Sequence, residues 1–413
     1  MNKEKTVPRL RFTGFDGEWE EKKVNSLVTQ ITREVPKPMF PYQRVSVRSH
    51  AKGTFQQMVE DPSTVAMDKL YIVKENDLII NITFAWEHAI AVATKKDDGL
   101  FVSHRFPTYR AEGKSDIKFL RFLVSQEEFR RKLEFISPGG AGRNRVLNKK
   151  DFLKIKVNVP TNIKEQQKIG YFFTQLDDLI ALHQQKLTHL QERKKGLLQK
   201  MFPKAGEKVP ELRFPGFSGD WEEKKLGEVA ERLKSYSLSR DVETSKNTGI
   251  KYVHYGDIHT KVADKITNQS LIPNIKFSEY EILQKGDLIL ADASEDYQGI
   301  AIPSVIIEDT EFKIVAGLHT IALRPQNVDS IFLYYLIYSP IFRRYGYKTG
   351  TGMKVFGITA TNVLKFESAF PTFEEQQRIG LFLDQIDESI SSHQHKLNNL
   401  RKRKKALLQQ MFI

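Results

Sequence analysis

Glu165-Gln166-Gln167-Lys168-Ile169-Gly170 opens a block that runs to Phe202 and returns, at an offset of 210, as Glu375-Gln376-Gln377-Arg378-Ile379-Gly380 through Phe412. More than half of the aligned positions are identical. In the first copy Ile169, Phe173, Leu176, Ile180, His183, Leu187, Leu190, Lys194, Leu197 and Met201 follow one another at alternating steps of four and three. In the second, Ile379, Leu383, Ile386, Ile390, His393, Leu397, Leu400, Lys404, Leu407 and Met411 do the same. A period held this long predicts two helices that pair with one another.

The polar interruptions choose the direction of pairing. A parallel pair in register stacks Lys194 on Lys404 and His183 on His393, where unpaired charge is costly. An antiparallel pair sets Lys194 near Ile386 and His183 near Leu397, with the lysine free to snorkel outward. From Ile169 to Met201, about 32 residues, such a helix is roughly 48 Å long. That matches about 14 base pairs of B-form DNA.

A second repeat precedes each helix. Val7-Pro8-Arg9-Leu10-Arg11-Phe12-Thr13-Gly14-Phe15-Asp16-Gly17-Glu18-Trp19 returns as Val209-Pro210-Glu211-Leu212-Arg213-Phe214-Pro215-Gly216-Phe217-Ser218-Gly219-Asp220-Trp221, each followed by Glu-Glu-Lys-Lys. Between arm and helix the halves share little beyond anchors such as Asp77-Leu78-Ile79-Ile80 and Asp287-Leu288-Ile289-Leu290. The inserts, roughly 24–159 and 226–370, read as mixed α and β. Strands are expected at 70–73, 77–82, 300–302 and 305–307, and helices near 116–135 and 328–345. The frame was duplicated and its contents diverged. The expected fold is α+β, two mixed α/β domains separated by a long antiparallel two-helix coiled coil with pseudo-twofold internal symmetry.

The chain has 413 residues, no cysteine and a formal net charge of +13. Disulfides, cysteine-ligated zinc and thiol chemistry are excluded together, which favours a reducing cytoplasm. The excess charge points to a polyanionic partner, nucleic acid first. Enzyme-like motifs fail on spacing. Gly113-Lys114-Ser115 has Thr108 where a phosphate loop needs its first glycine, and Gly350-Thr351-Gly352 has Val355 where a dinucleotide loop needs its last. Asp16 with Glu21-Lys22-Lys23 superficially matches a nuclease pattern, but recurs as Asp220 with Glu223-Lys224-Lys225 and reads as a solvated charge run. No metal site is expected among the ten histidines.

The arm Gly-Phe-x-Gly-x-Trp-Glu, the Asp-Leu-Ile anchor, and Pro160-Thr161 or Pro371-Thr372 leading into Glu-Gln-Gln-(Lys/Arg)-Ile-Gly resemble the specificity subunits of Type I restriction-modification systems over nearly the whole chain. The resemblance implies a first target-recognition domain over 1–159, with its arm at 7–24, and a spacer helix over 160–203. It implies a second domain over 204–370, with its arm at 209–226, and a second helix over 371–413. It further implies a non-catalytic subunit that reads a split, asymmetric double-stranded DNA site. Partners would be modification (methyltransferase) subunits, two of them, and restriction subunits through the complex. S-adenosylmethionine, ATP and magnesium would belong to those partners and no cofactor to this chain. The alternative is a DNA-independent coiled-coil adaptor.

Base readers should be polar side chains on strand ends or loops. In the first insert the candidates are Arg44, Arg48 and His50, on an expected strand with one polar face, and Arg143, Asn144 and Arg145 in a glycine-rich loop. In the second they are Tyr252, His254, Tyr255 and His259, and the loop containing Lys348, Thr349 and Lys354. The basic helix ends, Arg193-Lys194-Lys195 and Arg401-Lys402-Arg403-Lys404-Lys405, suit DNA backbone contact or a solvated helix C-terminus equally.

Overall fold

The repeated Glu-Glu-Lys-Lys of the arm becomes a strand in both copies. Glu20–Lys23 runs antiparallel to Lys156–Val159, and Glu222–Lys225 to Glu367–Phe370. Trp19 and Trp221, just before these strands, are buried edge-on against Phe119 and Phe332. Each arm therefore closes the beginning of its insert onto the end. The computed structural model describes residues 6–137, 145–352 and 355–413.

The chain packs as two units, one of Met1–Gln184 with His395–Ile413, the other of Gln185–Gln394. The long helices Ile163–Lys200 and Phe373–Met411 each contribute residues to both.

In the first unit a four-stranded antiparallel sheet has the order Thr29–Ile31, Thr108–Arg110, Leu78–Ile80, Ile90–Val92. A five-stranded sheet has the order Glu34–Pro36, Lys69–Ile72, Phe101–Val102, Tyr42–Val47, Thr54–Val59, with one parallel pairing. Successive residues of a strand face opposite ways. Leu78 and Ile80 accordingly pack with Trp19, Phe119 and Phe173, whereas Ile79 packs with Val45, Val47 and Val102. Burial on both faces explains the unbroken apolar run.

The second unit repeats the scheme. A five-stranded sheet has the order Ala230–Leu233, Thr320–Pro325, Leu288–Ala291, Pro303–Ile306, Lys265–Ile266. A four-stranded one has Glu243–Thr244, Asn274–Ile275, Ile250–Val253, Lys313–Ala316. Leu288 and Leu290 join Trp221 and Phe332, while Ile289 and Ala291 join Val253 and Ala316.

The shared motifs are structural fastenings. Buried Asp77 takes Arg33 at 2.6 Å and Arg110 at 3.1 Å, and Asp287 takes Arg324 at 2.7 Å. Glu165 receives both Nε and Nη2 of Arg11 at 2.7 Å, and Glu375 receives Arg213 at 2.7 and 2.8 Å. The following glutamine spans two segments. Gln166 Oε1 accepts from Asp116 N at 3.0 Å and its Nε2 donates to Pro160 O at 2.9 Å; Gln376 does the same with Asp329 and Pro371. Asp116 and Asp329 in turn cap the helices Ile117–Leu123 and Ser330–Tyr338. The motif's glycine lets those helix starts press against the long helix. A Cβ on Gly170 would lie 2.5 Å from Phe119 N, and one on Gly380 3.0 Å from Phe332 N.

The helix pairing is antiparallel within each unit. In the first, Phe173 lies by Phe412, Asp177 by Lys404 and Gln184 by Arg401. In the second, Lys194 meets Asp387 at 2.6 Å while Met201 shares a core with Ile379 and Leu383. Every position of both periodic series is buried or half-buried: Ile169, Phe173, Leu187, Ile379, Leu383, Ile386 and Leu397 are buried, and Leu176, Ile180, Leu190, Leu197, Ile390, Leu400 and Leu407 half-buried.

Four expectations need correction. Lys194 does not snorkel to water; it pairs with Asp387, one residue beyond the expected Ile386, beside the rings of Tyr335 and Tyr338. Ile300-Ala301-Ile302 is no strand, because Ala301 adopts φ +52°, which breaks extension. Each expected helical stretch is two helices, Ile117–Leu123 with Glu127–Phe135, and Ser330–Tyr338 with Pro340–Thr349. In the second, Pro340 has no N–H to continue the preceding helix and starts the next one. Consequently Tyr347, Lys348 and Thr349 form a last helical turn and not a loop.

Candidate nucleic-acid interface

The arginines of the first insert fall into two groups. Arg33, Arg110, Arg121, Arg130 and Arg131 each face a carboxylate. Arg44, Arg48, Arg105 and Arg145 form no ion pair among the described residues. A guanidinium without a protein carboxylate is what a phosphate or guanine requires.

Two of these four share a site. Arg44 and Arg105 line one hollow of about 400 Å³ with Gln57, Thr83, Ser103 and His104. Arg44 Nε donates to Gln57 Oε1 at 3.2 Å. Arg145 lies 5.4 Å from the ring of Trp86. Arg48 donates to Thr54 O at 2.5 Å and covers Phe55 at 5.0 Å.

Three chain segments are tied together beside the hollow. Ile82 N donates to Arg105 O at 3.0 Å, and Leu147 N to Ile82 O at 2.8 Å. The second unit reproduces this junction: Asp292 N donates to His319 O at 3.0 Å, and Ile358 N to Asp292 O at 2.9 Å. In both, the loop after the anchor strand meets the loop before the central strand and the segment closing the insert. What differs is the side chains. Arg105 Nη1 reaches only Thr83 Oγ1, at 3.4 Å, whereas His319 Nδ1 donates to Asp292 at 3.2 Å. Burial raises the Asp292 carboxyl above its ordinary range, against the pull of His319. Tyr255 gathers the rings of His254, His259 and His319 within 4.5, 5.9 and 5.4 Å.

The remaining sequence candidates are placed as follows. His50 is exposed in a turn at φ +61°, beyond the end of the strand Tyr42–Val47. Tyr252 has to be withdrawn as a reader. It is fully buried on an inner strand and its hydroxyl donates to Glu243 at 2.9 Å. His254 is a buried helix cap whose Nδ1 accepts from Gly256 N at 3.1 Å; burial lowers its pKa. His259 Nε2 is bonded to Ala293 O at 2.8 Å. Lys348 lines a different hollow, of about 680 Å³, with Phe202 and Tyr345. Thr349 bonds back to Tyr345 O. Arg143, Asn144 and Lys354 lie outside the described residues. At the helix ends, Lys194 and Lys404 are engaged with Asp387 and Asp177, while Arg193, Lys195, Lys402, Arg403 and Lys405 are exposed.

Sequence reasoning missed Thr83, Ser103, His104, Arg105, Asp292 and His319. Their one sequence signal is position: Thr83 and Asp292 follow the Asp-Leu-Ile strand, and Ser103, His104, Arg105 and His319 precede the strand that pairs with it. Glu21, from the apparent nuclease pattern, is paired with Lys156 at 2.6 Å. Among the described residues no cluster of His, Cys, Asp and Glu is arranged to hold a metal ion, and no helix is long and apolar enough to cross a membrane.

The family model described as the type I restriction modification DNA specificity domain matches residues 18–192 and again 218–402. Two proteins of Methanocaldococcus jannaschii are similar. The type I restriction enzyme MjaVIII specificity subunit is 25% identical over 272 residues, covering 63% of this chain and 62% of that protein. The chain thus spans about six tenths of that relative's length. The putative type I restriction enzyme MjaX specificity subunit is 20% identical over 426 residues, covering 98% and 95%. Among solved structures, the type I restriction-modification system S subunit from M. genitalium superposes with a TM-score of 0.56 at 14% identity, covering 98% of this chain and 99% of that one. This last likeness is one of fold.

Proposed function

The chain belongs to the type I restriction modification DNA specificity family, twice over along its length, and from that premise we propose that each unit reads one short segment of a split DNA site for a methyltransferase held by the long helices. A member of this family specifies the site and leaves catalysis to other subunits. The observation that carries the reading is the junction built twice by the same backbone bonds but furnished with different side chains, Arg105 in one unit and His319 with Asp292 in the other. Unlike readers on like mounts recognise an asymmetric site.

In this reading the helices act as a ruler, and methyltransferase subunits bring S-adenosylmethionine while restriction subunits bring ATP and magnesium chemistry. Inserting four residues into the first long helix adds about 6 Å, near two base pairs. The methylated sites of a reconstituted complex should then show a wider gap between unchanged half-sites. An unchanged gap refutes the ruler. The adaptor reading is tested by binding the complex to random and selected duplexes across a salt series, since an adaptor shows no sequence preference at moderate salt.

A further inference from the structure

We infer that Arg105 and His319 occupy the base-reading position of their respective units, Arg105 taking a guanine. The inference rests on the reading above and goes further by assigning specificity to one place in each junction.

The argument begins with what base readout demands. A phosphate accepts a cation over a range of positions, but a base edge must be met with donors fixed in place. At the junction the backbone supplies that fixity. Arg105 O accepts from Ile82 N at 3.0 Å, and Arg105 N donates to Ser103 Oγ at 3.3 Å. His319 O accepts from Asp292 N at 3.0 Å. Each residue is therefore anchored on one side of its chain while its side chain is exposed.

The other three arginines without a carboxylate each have a partner of their own. Arg48 is committed to Thr54 O and the face of Phe55, Arg44 to Gln57, and Arg145 sits by Trp86. Arg105 has one long bond, 3.4 Å from Nη1 to Thr83, which orients the guanidinium without consuming its fork. A fork presenting two parallel donors matches O6 and N7 of guanine. In the second unit Asp292 holds Nδ1–H of His319 and the ring edge meets Tyr255, so Nε2 is the ring atom available to a base. His254 and His259 also surround Tyr255, but they are spent on Gly256 N and Ala293 O.

The test uses the full chain assembled with methyltransferase subunits, acting on duplexes randomised across both half-sites, with methylated products sequenced. For the unmodified complex a guanine is expected at one position of one half-site. Arg105→Ala should lower the preference for it about ten- to a hundredfold and leave the other half-site untouched. Arg105→Lys, which keeps the charge and loses the fork, should relax the same position. His319→Ala should relax one position of the other half-site only. Both residues are exposed, and unchanged melting of the variants will show that folding is not the cause. Uniform weakening over all sequences that lysine restores would make Arg105 a phosphate contact and overturn the inference. So would base preferences unchanged by either alanine variant. If the unmodified complex shows no split preference at all, the proposed function itself fails, a result distinct from either of these.

Discussion

The two units fasten themselves in nearly the same way and present different chemistry to whatever they read. Arg11 meets Glu165 and Arg213 meets Glu375 at the same 2.7 Å, each carboxylate almost fully buried. Gln166 and Gln376 make equivalent bonds. Elsewhere in each unit, one junction carries an arginine without a carboxylate and the other a histidine on an aspartate. The difference teaches where duplication is free to diverge. A buried carboxylate paired between the arm and the long helix cannot be changed singly without stranding its partner, at about 3–5 kcal/mol. An exposed side chain on a fixed backbone changes for about 0.5 kcal/mol or less.

The contrast can be broken at its strongest point first. Glu165→Ala and Glu375→Ala should each destabilise by about 3 kcal/mol, because each leaves a half-buried guanidinium unpaired. Chemical denaturation of the full chain measures this, and clearly unequal losses would show that the two fastenings are only superficially alike.

A smaller effect should separate the copies. Gly170→Ala brings a Cβ to 2.5 Å from Phe119 N and 2.7 Å from Asp116 Oδ1, and both belong to a helix cap. A loss of about 2–3 kcal/mol is expected. Gly380→Ala meets its nearest atom at 3.0 Å. There the gain in helix propensity, about 1 kcal/mol, should nearly cancel the crowding. Equal melting temperatures for the two variants would contradict the tighter packing of the first unit.

The smallest effect is in pH. Burial holds the pKa of both His88 and His254 below the imidazole value. Since the folded pKa lies under the unfolded one, the stability tied to the neutral ring is full above the unfolded pKa and is lost as pH falls. Each histidine contributes at most about 1.4 kcal/mol between pH 6.5 and 5.5. His254→Asn keeps a cap for Gly256 and removes the titration, so it should flatten the acid loss of the second unit alone. Melting at pH 7.5 and 5.5 decides it, and an acid loss no smaller in the variant would rule His254 out as its source.

Much of the frame was legible in the sequence because its constraints are periodic or repeated. The series from Ile169 and from Ile379 gave the helix faces, and the lysine interruptions gave the antiparallel sense. The partners of those lysines were not legible. Asp177 and Asp387 stand one position off the periodic series, and only the side-to-side offset of packed helices brings them to Lys404 and Lys194. The Glu and Gln of the repeated motif stand in the sequence at the entry to each long helix, yet their use is to hold an arm and to brace the aspartate that caps a second helix. The candidate site was less legible still. Arg44 and Arg145 were named from local pattern, Arg105 was passed over, and Tyr252 was named although an inner strand buries it.

The sequence by itself determined that there are two copies of one frame, that their long helices run opposite ways, and that the copies carry unlike contents. Period and repetition are properties of spacing along the chain, so they survive without coordinates. Only the tertiary structure decided which charges are neutralised at home and which remain for a partner. A guanidinium's availability depends on whether a carboxylate folds to within a hydrogen bond of it. For Arg33 and Arg110 that carboxylate is Asp77, on another strand, and for Arg105 none arrives among the described residues.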